Sequence, residues 1–161
     1  MAYVNLKRLD QTLLKLFDLL KPNGHLICEE GDVAKTYCVN INDPLTKVDN
    51  LALNKWLKVT FDIGDKFSYD FELGSKINSI MEKITNQATS VSVFQPTLET
   101  TYHKQSLSFA IPAIETFLLK QELMDQSSID TLAKGLEELA EDNTTYLKFI
   151  ANTLVDVQKC D

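Results

Sequence analysis

Residues 19–30, with the sequence LLKPNGHLICEE, constrain the fold of this chain more than any other segment. Before them, leucine and phenylalanine recur at the three- and four-residue spacing of an amphipathic helix. The Pro-Asn-Gly turn at 22–24 ends that helix, because proline cannot continue it and the other two residues favour turns. A short apolar run then ends in Glu29 and Glu30, which indicates a buried strand that emerges into solvent.

Similar patterns predict the remaining elements, whereas residues 33–46 show no regular period. Apolar residues at helical spacing mark the segments 48–67, 75–84, 102–122 and 127–140. Residues placed to cap these helices and the first one are Asn5, Asp43 or Thr46, Ser75 and Ser127. Pro112 predicts a kink or a division into two shorter helices. Segments 89–96 and 146–160 are typical of strands, so the residues predict an α/β fold with three strands.

Charge and hydropathy exclude several classes of protein. The 161 residues carry a net charge of −7, and the 16 Lys and Arg form no dense run. Nucleic acids and anionic membranes both require a basic surface, so we expect no binding to either. No apolar run approaches the roughly 18 residues of a membrane span, and residues 1–10 lack the apolar core of a signal peptide. We therefore expect a cytoplasmic protein.

The cysteines predict neither disulfides nor a metal site. Cys28, Cys38 and Cys160 are odd in number and contain no C-x-x-C pair, which is typical of reduced cytosolic thiols. His25 and Cys28 lie an odd number of positions apart, so they point to opposite faces of a strand and cannot easily bind one ion. We expect no metal.

Residues 13–32 resemble the class I S-adenosylmethionine-dependent methyltransferase pattern L-x-x-L-x-x-x-L-K-P-G-G-x-L-x-x-x-E, with Asn23 in place of its first glycine. Asparagine tolerates a positive φ better than most residues, so the turn stays plausible. Gly74 and Ile77 match a second motif of the family, although its usual Gly-Phe pair is absent before the following strand. Residues 119–158 resemble the helical insertion and last strand of the small-molecule methyltransferase branch.

The family's cofactor loop is missing from this chain. Its pattern is G-x-G-x-G, whereas the five glycines here are never closer than seven residues. The resemblance thus implies the C-terminal half of a methyltransferase, a single domain over 1–161 with a helical insertion at about 101–142. It implies a partial Rossmann-like sheet of about three strands, the last antiparallel, with four to five helices. S-adenosylmethionine would bind the parent enzyme, and we expect none to bind this chain alone.

Candidate site residues follow from the rule that ligands of doubly wound sheets bind beyond the carboxyl ends of the strands. The residues at those ends are Glu29, Glu30, Asp32 and Gln95. By resemblance, the segment 33–67 would line the substrate side, and its candidates are Tyr37, Asn40 and Trp56. Some of these residues could instead have a purely structural role. The acidic residues would then begin a solvated loop, and Trp56 would belong to the hydrophobic core. Because adjacent strand residues point to opposite faces, at most one of Glu29 and Glu30 faces a site. No residue is identified as a catalytic base.

Three interpretations of function remain open. The chain is the substrate-side portion of a methyltransferase acting on a small-molecule methyl acceptor, and is inactive without the cofactor-binding half. Alternatively, it is a non-catalytic interaction or dimerisation module derived from such an enzyme, or a truncated fragment without a function of its own. Without the preceding strands, the strand at 25–30 would be an open apolar edge that invites pairing. We therefore expect either a homodimer, with or without exchange of a strand, or a partner that supplies the missing N-terminal half.

Overall fold

A computed structural model describes residues 8–160. In chain order, its helices are α1 (Leu9–Asp18), α2 (Leu51–Phe67), α3 (Leu73–Thr85), α4 (Thr101–Lys104), α5 (Ser106–Lys120) and α6 (Gln126–Glu141). Its strands are β1 (His25–Asp32), β2 (Tyr37–Asn40), β3 (Asp43–Val48), β4 (Thr89–Phe94), β5 (Thr97–Leu98), β6 (Thr145–Lys148) and β7 (Ala151–Gln158). The chain forms two compact units: unit 1 contains residues 8–35, 64–95 and 150–160, and unit 2 contains 36–63 and 96–149.

Unit 1 is built on a three-stranded sheet in the order β1-β7-β4. β7 is antiparallel to both of its neighbours, so β1 and β4 run parallel to each other on either side of it. Cys28 and Val91 both lie opposite Val155 in this register. The α/β class, the sheet of three strands and the antiparallel last strand are confirmed. So is the helix number, since α1, α2, α3, α5 and α6 each have ten residues or more and α4 is a single turn.

Helices α1 and α3 pack on one face of this sheet. The buried residues of this core are Leu9, Leu13, Phe17, Leu73, Ile77, Met81, Val155 and Val157. Leu26 and Cys28 of β1 point toward it, whereas Ile27 points to the opposite face and is 60% exposed. The prediction that this strand is buried on both faces is therefore wrong, because in unit 1 the two helices cover only one of them.

The turn between α1 and β1 adopts the geometry that its sequence suggests. Asn23 has φ 62°, a left-handed conformation that asparagine tolerates better than most residues. Its backbone N–H donates to the Lys159 carbonyl at 2.8 Å, and the Lys159 N–H donates to the Gly24 carbonyl at 2.9 Å. The turn is thus tied to the chain just beyond β7.

Unit 2 contains a four-stranded antiparallel sheet, in the order β3-β2-β6-β5, that the sequence did not predict. The irregular segment 33–46 supplies β2 and part of β3. The segment expected to form one terminal strand divides into β6 and β7, which belong to different sheets. The division falls next to Phe149, whose N–H donates to the Pro96 carbonyl at 2.9 Å. β2, β5 and β6 have only two to four residues, too few for a clear period, and β3 is exposed at nearly every position.

The core of unit 2 lies between its helices and this sheet. Its buried residues are Cys38, Leu53, Val59, Leu107, Ile111, Leu118, Ile129, Leu132, Leu136, Leu139 and Leu147. The predicted helix at 102–122 is divided, but the break falls at Gln105, and Pro112 lies inside α5. Helices α4, α5 and α6 occupy the range of the expected helical insertion.

Several predicted caps are wrong. Asp43 and Thr46 belong to β3, and α2 is instead capped by Asn50, whose Oδ1 accepts from the Leu53 N–H at 2.9 Å. Asp125, rather than Ser127, caps α6. Ser75 lies inside α3 and not before it. Asn5 lies outside the described residues. Within 8–160, none of the helices combines the length and the apolar character that crossing a bilayer requires.

The contact between α3 and β1 generates a prediction. A Cβ at Gly74 would lie 2.8–2.9 Å from the Glu30 carbonyl oxygen, the Gly31 carbonyl carbon and the Asp32 nitrogen. Gly74→Ala should therefore lower the free energy of unfolding by about 1–3 kcal/mol through overpacking, although alanine favours helix. Urea denaturation measures this change. The exposed Ser79→Ala on the same helix should stay within about 0.5 kcal/mol of the parent; equal stability of both variants would contradict the prediction.

Candidate functional site

The carboxyl ends of β1 and β4 lie at the same end of the sheet in unit 1, because the two strands are parallel. Gly31 and Phe94 both lie opposite Asn152 of β7, so these three residues form one row across the sheet. Asp32 and Gln95 follow directly in the chain. The structure thus brings two predicted site residues to the same end of the sheet, separated by two strand spacings, or roughly 10 Å.

At this end of the sheet, Asp32 has a buried carboxyl group with an unusual lack of hydrogen bonds within residues 8–160. Its side chain is 2% exposed, and its Oδ1 has no hydrogen-bond partner among the described residues. Strand alternation places Asp32 on the same face as Leu26 and Cys28, and the α3 backbone at Gly74 closes against β1 beside it. An unsatisfied buried acceptor costs about 1–3 kcal/mol, and more when it is charged. Such a group is suited to accept a hydrogen bond from a ligand.

The neighbouring acids do not form a pair. Glu29 is exposed on the opposite face, whereas Glu30 is half-buried on the Asp32 face. Burial raises the pKa of the Glu30 carboxyl above its ordinary value. Burial, and then the charge of Glu30, raise the pKa of the Cys28 thiol. Gln95 has a different role, since its Nε2 donates to the Lys35 carbonyl at 2.6 Å and holds the chain that follows β1.

The other three candidates lie in unit 2 and are engaged in contacts of their own. The Tyr37 ring stacks under Lys47, with Nζ 4.2 Å from the ring centroid. Asn40 closes the turn between β2 and β3, where its Oδ1 accepts from the Asn42 N–H at 2.8 Å. Trp56 is half-buried against the core, 6.5 Å from the ring of Phe149. Tyr37 and Asn40 are three positions apart on one strand and so point to opposite faces.

A cleft that the sequence did not indicate lies in unit 2, between the first turns of α2 and the length of α6. It has a volume of about 860 Å³, and its walls are mostly apolar, including Ala52, Leu132 and Leu139. Gly135 lets the helices approach closely, since a Cβ there would lie 2.8 Å from that of Ala52. An interior helical glycine was the only available signal.

The charged groups around this cleft are already paired. Lys55 Nζ donates to the Ser128 carbonyl at 3.1 Å. Lys58 and Lys134 form exposed ion pairs with Asp62 at 2.6 Å and Glu138 at 3.8 Å. The cleft therefore offers shape and apolar surface, but no group poised for proton transfer.

Lys104 is a second feature that sequence reasoning missed, because lysines are usually exposed. Its side chain is 1% exposed, and its Nζ donates to the backbone carbonyls of Asp142 and Thr145, the latter at 3.4 Å. Burial lowers the pKa of this ammonium, although the nearby Asp142 carboxylate opposes the shift. Burial also raises the pKa of the adjacent Cys38 thiol to about 11. Lys104 thus joins α4 to the end of α6 and the start of β6.

The described residues contain neither a cluster of metal ligands nor a glycine-rich loop after β1. Residues 8–160 contain no group of three His, Cys, Asp or Glu side chains placed to hold an ion. His25 Nδ1 lies 2.9 Å from Asp156 Oδ1 instead. None of the described glycines has a positive φ, and β1 runs directly into a short 3₁₀ helix, Val33–Lys35. No glycine-rich loop is available there to cradle the cofactor that the resemblance implies.

Comparisons with known proteins add little to this geometry. No protein-family model matches the chain. No curated protein matches it either. It is similar to the solved structure of Haemonchus contortus phospholethanolamine N-methyltransferase 2, in complex with phosphomonomethylethanolamine and S-adenosylhomocysteine, with 16% identity and a TM-score of 0.40. The match covers 99% of this chain and 32% of that one, so the chain spans about a third of its length. This likeness is too weak to assign a family.

The buried carboxyl group of Asp32 should affect the stability of the protein. Asp32→Asn should raise the free energy of unfolding by about 1 kcal/mol, because a neutral amide of the same shape is less costly to bury than a carboxyl group whose Oδ1 has no hydrogen-bond partner among the described residues. Glu29→Gln, which alters an exposed acid on the other face of the same strand, should change it by less than about 0.5 kcal/mol. Urea denaturation of both variants measures the difference. A clear loss of stability in Asp32→Asn would contradict it.

The buried ammonium group of Lys104 should contribute to stability through its two hydrogen bonds. Lys104→Ala should lower the free energy of unfolding by about 2–4 kcal/mol, since two backbone carbonyls lose their donor and a cavity opens. Lys104→Met keeps the volume and removes the buried charge, so it should cost about half as much or less. Lys120→Ala, on the exposed end of α5, serves as the control. Chemical denaturation measures the free energy of unfolding of the three variants. Equal losses in Lys104→Ala and Lys104→Met would contradict the prediction.

Proposed function

We propose that this chain is the substrate-side, C-terminal portion of a cytoplasmic S-adenosylmethionine-dependent methyltransferase that acts on a small molecule. The proposal rests chiefly on Asp32, a buried carboxylate with an unpartnered oxygen at the carboxyl end of β1. β1 is the strand that the methyltransferase-like segment 13–32 contains. The order β1-β7-β4 further supports it, because this is the edge of a partial Rossmann-like sheet with an antiparallel last strand.

In this proposal the chain binds and orients the methyl acceptor. Methyl transfer from a sulfonium needs little covalent assistance, and the protein mainly aligns the acceptor atom and excludes water. Asp32 Oδ1 would accept a hydrogen bond from a hydroxyl or amine of the acceptor. Gln95 would keep the segment after β1 in place through its bond to the Lys35 carbonyl. No residue is assigned as a base.

The methyl donor would be held by a cofactor-binding half outside this chain. Four of the five glycines serve packing, since a Cβ at Gly24, Gly64, Gly74 or Gly135 would lie within 2.9 Å of another atom. The chain alone should then be inactive. We further propose that the whole chain behaves as the C-terminal part of one methyltransferase domain.

An interaction module is the second candidate function, and the edge of β1 favours it. Among the described strands, β1 pairs only with β7, so one side of an eight-residue strand lacks a neighbour. An open strand edge is a template for pairing with another chain. Under the first proposal, this edge receives the strands of the missing half; under the second, it receives a strand from another copy or another protein.

Calorimetric titration with S-adenosylmethionine tests whether the cofactor is bound by a half outside this chain. The isolated chain should give no binding heat, because it lacks a loop to hold the ribose and the amino acid moiety. A micromolar dissociation constant would contradict the proposal. The same titration with the upstream reading frame co-expressed should give binding, if that frame encodes a strand, a G-x-G-x-G loop and a helix.

The edge itself can be tested in the co-expressed pair. Ile27→Lys places a charge on the exposed face of β1 and should weaken association of the two halves at least roughly tenfold. Ser92→Lys, on the exposed β4 at the other edge of the same sheet, is the matched control and should leave association unchanged. Association that tolerates both substitutions would exclude β1 as the joining strand.

A further inference from the structure

The chain just beyond β7 is bonded to the turn that joins α1 to β1. The Lys159 carbonyl accepts from the Asn23 N–H at 2.8 Å, and the Lys159 N–H donates to the Gly24 carbonyl at 2.9 Å. Gln158 Nε2 adds a longer contact of 3.4 Å to the Asn23 carbonyl, across 135 residues of sequence. We name residues 158–160 the strap.

The Lys159 side chain continues the strap onto α1. Its ammonium donates to the Asp18 carbonyl at 2.8 Å and to the Leu20 carbonyl at 3.0 Å. The last carbonyls of a helix have no partner within the helix, and a lysine at that end also interacts favourably with the helix dipole. Its Nζ lies 5.8 Å from the centre of the Phe17 ring, which is buried in the core of unit 1. Lys159 therefore caps α1 from a distant part of the chain.

The strap also reaches the loop between α3 and β4. The Cys160 N–H donates to Gln87 Oε1 at 3.1 Å. The Gln87 N–H in turn donates to Oγ1 of Thr85, the last residue of α3, at 3.3 Å. The three residues of the strap thus contact the end of α1, the turn before β1 and the loop after α3, all within unit 1. The strap is a common tie between the two helices that cover the sheet.

The two helices differ in how firmly the rest of unit 1 holds them. α3 packs directly on β1 and β7, and Gly74 brings its backbone against that of β1. α1 packs mainly on α3 and contacts β1 at fewer positions. It has only ten residues, and isolated helices shorter than about 12–15 residues are marginal in water. The bonds at its end therefore matter more for α1 than for α3.

We propose that the strap is a conformational latch, whose release lets α1 and the start of β1 open together while α3 stays on the sheet. This inference does not rest on the proposed methyltransferase role. Proteins open locally in contiguous cooperative units, at free energies below that of global unfolding. His25 and Leu26 pair with Gln158 and Val157 at the end of β7, so opening shortens the paired part of β1. The latch thereby controls how much of β1 is held as a strand.

Hydrogen–deuterium exchange followed by mass spectrometry tests the latch on the full chain. Lys159→Ala should speed amide exchange in residues 9–26 at least roughly tenfold, because the end of α1 loses a charged donor. Exchange in α3, which stays on the sheet, should change less than about twofold. Lys21→Ala, at an exposed lysine in the same turn, is the matched control and should leave exchange in residues 9–26 unchanged.

A conservative variant separates the latch from a general contribution to stability. Lys159→Arg keeps a charged donor, so exchange in residues 9–26 should stay within about threefold of the parent. Equal acceleration of exchange in α1 and α3 by Lys159→Ala would overturn the proposal, because the strap would then stabilise unit 1 as a whole. Unchanged exchange in residues 9–26 would also overturn it. So would a Lys159→Ala chain that circular dichroism shows to be unfolded, since release of the strap would then not be local.

Discussion

The close approach of α3 to β1 is the contact on which unit 1 depends. Gly74 lies directly against the backbone of Glu30, Gly31 and Asp32, at distances that leave no room for a side chain. Moving α3 away from β1 would also break the core packing around Ile77 and Met81. The contact therefore fixes the position of the end of β1. The same contact lies beside the buried Asp32, whose Oδ1 has no hydrogen-bond partner among the described residues. Packing, rather than a dedicated hydrogen bond, therefore shapes the candidate site.

Long periodic segments could be predicted from the sequence, and short ones could not. α2, α3 and α6 each extend over at least three turns, so their apolar residues recur often enough to reveal the period. Three strands of unit 2 have only two to four residues, which is too few for alternation to be distinguished from chance, and the six-residue β3 is exposed along nearly its whole length and so has no apolar alternation. The antiparallel placement of β7 followed from the family resemblance alone, since no local pattern encodes strand order.

The features of the candidate site also differ in whether they could be predicted from the sequence. Asp32 could be selected from its position after a strand, but its missing hydrogen-bond partner depends on how distant segments pack. Lys104 gave no signal, because the carbonyls it binds lie about forty residues further along the chain. The cleft between α2 and α6 joins residues about eighty positions apart, and only the interior Gly135 hinted at it. Properties that arise between elements, rather than within them, are invisible to a single sequence.

The pairing of β1 with β7 has a consequence for how the molecule is made. His25 and Asp156, which contact each other across these strands, are 131 residues apart in the chain. β7 is also the central strand of its sheet, so among the described strands neither β1 nor β4 has a neighbour until β7 is made. Closing so long a loop is entropically costly, and folds with such distant contacts form slowly. During synthesis on the ribosome, the first strand must wait for almost the entire remaining chain, and its apolar side chains are then exposed to chaperones and to aggregation.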